Sequence, residues 1–237
     1  DLFDEVIAEE DSKFSIKYTG EFSPQNNKFQ NCIVEKIFTK FNLVKPNYCF
    51  TIQKNTPIMS GLGSASSNAA AIIRILEKLN YKDLKYKNFA EIGADVPFFV
   101  NNHDSLIREI GDVVIKKSFP KYYFLLVKPK YDCSTKEMYH QINIDNLNYD
   151  LNHDTDEINE VDNGNDFELI LDNKFIEIKN LLKFMKDLPD VIFSRLTGSG
   201  SCIFSAFESK KNANNSLIIF KEKFPLLWSK VVENNFI

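Results

Sequence analysis

The sequence predicts an α+β fold in two lobes. Three observations carry this. A length of 237 residues admits one large domain or two of ordinary size. Strand-like and helix-like stretches intermix without the regular βαβ repeat of a doubly wound sheet. At Phe119-Pro120 the pattern restarts with a fresh, strongly apolar segment, KYYFLLVKP. The first lobe is therefore expected over residues 1–119 and the second over 120–237. With 43% of residues hydrophobic, each can bury a core of its own.

In the first lobe, Asp1 to Tyr18 holds alternating segments such as FSIKY, which read as strands. QNCIVEKIFTKFN sets Ile33, Ile37, Phe38 and Phe41 at helical spacing. YCFTIQK, Tyr48 to Lys54, is β-branched and aromatic and reads as a strand. Ala69, Ile72, Ile73, Leu76 and Leu79 then recur with the helical period. A short helix ending at Gly93, the stretch GADVPFFV and a strand pair in SLIREIGDVVIKK complete the lobe.

The second lobe opens on the strand in KYYFLLVKP. Between about Asn143 and Asn165 the chain turns acidic and Asn-rich, as in INIDNLNYDLNHDTDEINEVDNGN. The acids do not match the alternating ligands and glycine of a calcium loop, so a solvated, mobile insertion is expected. FELILDNKFIEIKNLLKFMKDL reads as one helix, SRLTGSGSCIFSAF as a glycine turn running into an alternating strand, and SLIIFKEKF as a last helix.

Composition excludes several classes. With 29 basic against 33 acidic residues the chain lacks the basic excess of a nucleic-acid surface. No apolar run reaches the length of a membrane span and no charged-then-apolar leader opens the sequence, so a soluble protein with no membrane partner is expected. Cys32, Cys49, Cys133 and Cys202 are scattered, without the close pairs of metal sites, and are expected to be reduced thiols. His103, His140 and His153 are equally dispersed; His103 and His153 lie among polar residues and are expected in solvent.

The distinctive stretch is NTPIMSGLGSASSNAAAIIRILEKLN, Asn55 to Asn80, in a chain with only 8 glycines. Its order is strand, glycine-rich loop, helix N-terminus. Ser66, Ser67 and Asn68 are residue types that cap a first helical turn. Glycine lets a ligand approach the backbone, and the positive end of a helix favours an anion, of which phosphate is the commonest. No Lys-Ser or Lys-Thr pair follows as in a Walker loop, and Ser66 stands where the dinucleotide fingerprint has its third glycine. The residues alone leave two readings open: a phosphate loop, or an ordinary capped helix after a turn.

Five separated stretches resemble one family in order. PIMSGLGSASSNAA (Pro57 to Ala70) is similar to the phosphate loop of the GHMP small-molecule kinases. GADVPFF (Gly93 to Phe99), KPKYDCSTKEMY (Lys128 to Tyr139), NDFE (Asn165 to Glu168) and RLTGSGSCIF (Arg195 to Phe204) resemble, within that superfamily, the 4-diphosphocytidyl-2-C-methyl-D-erythritol kinases. DLFDEV at the start looks like that family's strand entry. The resemblance implies a two-lobed fold, a ribosomal S5 domain 2-like N-terminal lobe beside a ferredoxin-like C-terminal lobe, with ATP and substrate in the cleft. It implies ATP-dependent phosphorylation of the 2-hydroxyl of 4-diphosphocytidyl-2-C-methyl-D-erythritol, a middle step of the non-mevalonate route to isoprenoid precursors, with Mg²⁺ accompanying the ATP.

For the residues, the resemblance implies an ATP loop of Pro57, Ile58, Met59, Ser60, Gly61, Leu62, Gly63, Ser64, Ala65, Ser66, Ser67 and Asn68. It makes Asp95 the catalytic base, since phosphoryl transfer needs an acceptor hydroxyl relieved of its proton; a turn aspartate is the plain alternative. Thr135 and Tyr139 would line the cytidine pocket, with Tyr139 as a stacking face, or Tyr139 would pack on the core. Thr197, Gly198, Ser199 and Gly200 would close over the phosphates, or form a plain hairpin turn. Lys54 would reach substrate or phosphate, or stand in solvent at a strand end. No metal ligand is named.

The pattern departs from the family in two ways. Its opening strand with a lysine and an asparagine, then Asp-Gly-Tyr-His, has no counterpart in these residues, so either that piece lies upstream of Asp1 or the chain is degenerate. Ser60, Ser64 and Ala65 stand where glycine is usual. Another GHMP kinase, or an inactive nucleotide-binding relative, are the competing readings. The Asn-, Lys-, Ile- and Phe-rich composition points to an AT-rich genome and a plastid-type organelle, or the cytoplasm if the source is bacterial.

Overall fold

The computed structural model describes residues 2–24, 32–108, 111, 113–142, 164–171 and 173–234. Two compact units are present. The first holds Leu2–Ile58 and Gly63–Ser118, the second Met59–Leu62 and Phe119–Asn235.

In the first unit, strands β1 (Glu5–Glu10) and β2 (Ser15–Thr19), helix α1 (Ile33–Lys40), strand β3 (Tyr48–Gln53) and helix α2 (Ser64–Lys78) follow the expected order. The sheet runs β1-β3-β2, with β1 antiparallel and β2 parallel to β3. Its register pairs Val6 and Tyr18 with Ile52, and Ala8 and Ile16 with Phe50, so one face is apolar throughout. Phe38 and Ile37 of α1 and Ile72, Ile73 and Leu76 of α2 cover that face. The rings of Phe38 and Phe50 meet edge to face at 6.0 Å. The short helix expected before Gly93 is instead two 3-10 turns, Lys82–Tyr86 and Phe89–Glu91, the second capped by the Asn88 side chain. Beyond them come helix α3 (Val96–Asn101) and the antiparallel pair β4 (Ser105–Arg108) and β5 (Val113–Lys116).

The second unit runs β6 (Tyr123–Lys128), α4 (Thr135–Gln141), α5 (Ile176–Lys186), β7 (Phe193–Leu196), β8 (Ile203–Phe207), α6 (Lys210–Lys223) and β9 (Trp228–Glu233). Its antiparallel sheet is ordered β7-β8-β6-β9. Apart from α4 this is the ferredoxin-like β-α-β-β-α-β arrangement. Leu125, Val127, Ile203 and Phe207 point from the sheet into a core with Ile178, Leu182 and Met185 of α5 and Phe220 of α6. A buried hydroxyl pair, Ser194 and Ser205 at 2.7 Å, is satisfied by the Met185 carbonyl.

A further expectation needs correction here. The single helix over FELILDNKFIEIKNLLKFMKDL is broken: Asp166–Ile170 and Asn173–Phe175 are 3-10 turns, and only Ile176 onward is α-helical. Asn165 starts the first turn by accepting a bond from the Phe167 N–H, and Leu171 leaves helical geometry at φ −77°, ψ 67°. Strand β9 had no sequence expectation at all. The Asn-rich segment falls outside the described residues over 143–163, and His153 with it.

Candidate functional site

The loop between β3 and α2 takes its shape from three left-handed residues: Met59 at φ 49°, Gly61 at φ 70° and Gly63 at φ 69°. Gly63 is the N-cap of α2 and, having no side chain, gives the helix no capping bond of its own. Ser66, Ser67 and Asn68, expected as caps, lie inside it instead. Ser67 Oγ donates to the Ser64 carbonyl at 3.1 Å, and Asn68 is buried. The helical ladder starts with the Ser67 N–H on the Gly63 carbonyl at 2.9 Å. The N–H groups of Ser64, Ala65 and Ser66 precede it, at the positive end of a 15-residue helix.

The glycines are needed by the chain itself, whatever ligand the loop admits. A Cβ on Gly61 would stand 1.9 Å from the Thr197 carbonyl oxygen, and one on Gly63 would stand 2.7 Å from Cζ of Phe99. Both glycines are therefore required twice, by backbone conformation and by close packing.

Thr197 is turned inward. Its hydroxyl lies 2.6 Å from the Ser60 carbonyl and 3.0 Å from that of Cys202. The Cys202 N–H donates to Ser60 at 3.1 Å and the Ser201 N–H to Met59 at 3.3 Å. Met59–Leu62 is thus laced to the turn joining β7 and β8. Gly198 is exposed, Ser199 half-buried and Gly200 buried. The turn is held from its other side by Asn165, whose amide donates to the carbonyls of Leu196 at 2.9 Å and Gly198 at 2.8 Å, and by Glu168, which accepts from the Leu196 N–H at 2.9 Å. Thr135 opens α4 with its hydroxyl 3.0 Å from that of Ser199. Tyr139, one turn on, is 63% exposed and stands edge-on against Phe167 at 5.0 Å, so the core-packing reading of its ring is set aside.

Asp95 is the exposed N-cap of α3, at φ −82°, ψ −9°, and its carboxylate makes no capping bond. It lies in the turn that starts α3, with Pro97 in the first helical turn. The segment around it packs on the first turn of α2. Phe99 lies against Gly63, a Cβ on Gly93 would meet Ser66 Oγ at 3.6 Å, and Arg74 Nη1 donates to the Phe99 carbonyl at 2.9 Å.

Asp4 carried no signal in the sequence. Its side chain is fully buried and forms an ion pair with Lys54. It also accepts from the N–H groups of Asn55 at 2.8 Å and Thr56 at 2.9 Å and from the Asn68 amide at 2.9 Å. Burial pushes the Asp4 carboxyl up, but the bonds from Lys54 and Asn68 outweigh it and hold the group below its usual range. Lys54 is buried too, with Nζ 3.3 Å from Ser64 Oγ, so it is not a solvated strand-end lysine.

Among the described residues no three His, Cys, Asp or Glu gather as metal ligands, and none of their helices is long and apolar enough to cross a membrane. The four cysteines are free thiols. His140 is exposed on α4, while His103 is half-buried, its Nδ1 2.7 Å from Ser105 Oγ, which corrects its placement in solvent.

Residues 28–103 match the family model described as GHMP kinases N terminal domain, and residues 146–225 the one described as GHMP kinases C terminal. A 4-diphosphocytidyl-2-C-methyl-D-erythritol kinase of Clostridium tetani is 30% identical over 94% of this chain and 85% of its own length. The kinase of the same name from Pelagibacter ubique is 29% identical over 96% and 85%. A crystal structure of 4-(cytidine 5'-diphospho)-2C-methyl-D-erythritol kinase superposes with a TM-score of 0.72 at 19% identity, over 99% of this chain and 87% of that one. A homoserine kinase from Cytophaga hutchinsonii follows at 0.60 and 14%, over 98% and 86%.

Proposed function

The chain belongs to the GHMP kinases, ATP-dependent phosphotransferases acting on small molecules, and from that membership we propose that its acceptor is the 2-hydroxyl of 4-diphosphocytidyl-2-C-methyl-D-erythritol. The relatives that bear this name at about 30% identity over most of the chain support the choice of acceptor.

One observation carries the assignment of roles: the Asp95 segment packs directly on the first turn of α2. This turn offers N–H groups outside the helical ladder and a glycine N-cap, an arrangement fitted to a polyphosphate. The residues fit ATP, which when bound supplies the transferable phosphoryl group. Ser64, Ala65 and Ser66 would hold its phosphates through backbone N–H groups, with the helix dipole behind them. Asp95, exposed and free of capping, would accept the proton of the acceptor hydroxyl as its oxygen attacks. Tyr139 would offer its exposed ring to the cytosine, with Thr135 and Ser199 as nearby hydroxyls. Mg²⁺ would accompany the ATP phosphates and help neutralise their charge; no protein ligand is assigned to it.

The test is a turnover assay with ATP and a panel of acceptors: the cytidine-linked methylerythritol, homoserine and mevalonate. Preferential phosphorylation of the first supports the proposal. Preference for another acceptor refutes it while leaving the family membership intact.

A further inference from the structure

The seven-residue loop Pro57–Gly63 leaves β3 and enters α2 beside the same buried carboxylate. Asp4 takes the N–H groups of Asn55 and Thr56 immediately before the loop, and the Asn68 amide in the second turn of the helix immediately after it. Its ion-pair partner Lys54 reaches Ser64, the first residue of that helix. A carboxylate has about four lone-pair sites, and these four donors fill them. The group is thus spent on the chain and available neither as a base nor as a metal ligand.

We propose that Asp4 is a positioning residue for the nucleotide: it staples the two ends of the glycine loop together and so sets where the first N–H groups of α2 point. This rests on the kinase reading above. The staple belongs to the first unit alone and acts at the loop's base, separately from the Thr197 bonds at its tip. Lys54 follows as the compensating charge. A buried ammonium beside a helix N-terminus would be repelled by the dipole, and Asp4 cancels it.

The experiment measures dissociation of a non-hydrolysable ATP analogue by calorimetry, and KM for ATP and for the acceptor separately. The proteins are the wild type, Asp4→Asn, Asn68→Ala and the core control Ile73→Val. Asp4→Asn places an amide N–H against donors and should weaken the analogue about tenfold or more, with the acceptor KM within about twofold of wild type. Asn68→Ala keeps the ion pair, cuts only the helix-side tether and should weaken the analogue about threefold. If Asp4→Asn does not fold, Asn68→Ala decides alone. Ile73→Val should lower the melting temperature without moving either constant. Folded variants with wild-type affinity for the analogue overturn the inference, as does an equal loss for nucleotide and acceptor that merely tracks melting temperature. A wild type that binds no nucleotide at all defeats the kinase reading itself, and the inference falls with it.

Discussion

Replacing Gly61 by alanine would build a Cβ 1.9 Å from the Thr197 carbonyl oxygen. Real Cβ atoms essentially never come closer than 3.0 Å to such an atom, so the loop must retreat by about 1 Å, the difference between the two. That retreat stretches the 2.6 Å contact between the Thr197 hydroxyl and the Ser60 carbonyl beyond hydrogen-bonding range. Losing the bond costs about 0.5–1.5 kcal/mol, and holding an L side chain at φ 70° about 1–2 kcal/mol more. At roughly 2–4 °C per kcal/mol for a chain of this size, the ligand-free protein should melt about 3–14 °C lower. The same displacement moves the backbone leading into Gly63, and a 1 Å misplacement is enough to cost about 10²-fold in turnover. The assays are thermal unfolding without ligand and steady-state kinetics with ATP. If Gly61 existed to admit a ligand, the variant would melt normally and lose only affinity. An unchanged melting temperature therefore refutes the packing argument.

Asp95→Asn keeps the shape of the side chain but removes the proton acceptor; turnover should fall by about 10²-fold while ATP affinity holds, and an equally active variant would reduce Asp95 to a helix start. Tyr139→Ala should raise KM for a cytidine-linked acceptor about tenfold, within the range for a base stacked on an aromatic ring, and leave the melting temperature alone because the ring is 63% exposed. Unchanged KM would place the cytosine elsewhere. Burial pushes the Cys202 thiol up to about 12 and that of Cys133 up to about 11. The unfolded chain ionises these thiols near the ordinary value of 9.0, so above that pH it binds fewer protons than the folded protein. Stability should be intact below pH 9 and decline as pH rises towards 11 to 12, less steeply in Cys202→Ala; parallel melting curves for the two proteins would contradict this.

Much of the architecture was legible because periodicity is a local property. The helical spacing of Ile72, Ile73 and Leu76 and the alternation around Phe50 and Ile52 mark their own buried faces, and the structure buries those residues. The GADVPFF and TGSGS stretches were marked by their resemblance to the family; in the folded chain Phe99 of the first packs on Gly63, and the second sits beside Ser60 and Gly61. Where the reading failed, a local pattern hid a conformational break. FELILDNKFIEIKNLLKFMKDL keeps enough apolar residues to pass for one helix, yet it breaks at Leu171. Strand β9, WSKVVE, shows no alternation of buried and exposed residues, and its pairing with β6 supplies a support that its own residues do not announce.

The sequence by itself determined the α+β class, the strand–loop–helix order around Gly61 and Gly63, and the residue types from which a phosphate loop and a carboxylate base can be made. Only the tertiary structure decided what each polar group does. Lys54 reads as a lysine that reaches substrate or phosphate, or stands in solvent, until β1 pairs with β3 and brings Asp4, 50 residues earlier, against it. Nothing in the residues around Gly61 announces that Thr197, 137 residues after Ser60, is bonded into the same loop. The reason is physical. A side chain's preference for water or for a core is carried by its own atoms and its neighbours' spacing, whereas its hydrogen-bond partner is chosen by strand register and packing, which bring together groups far apart in the chain.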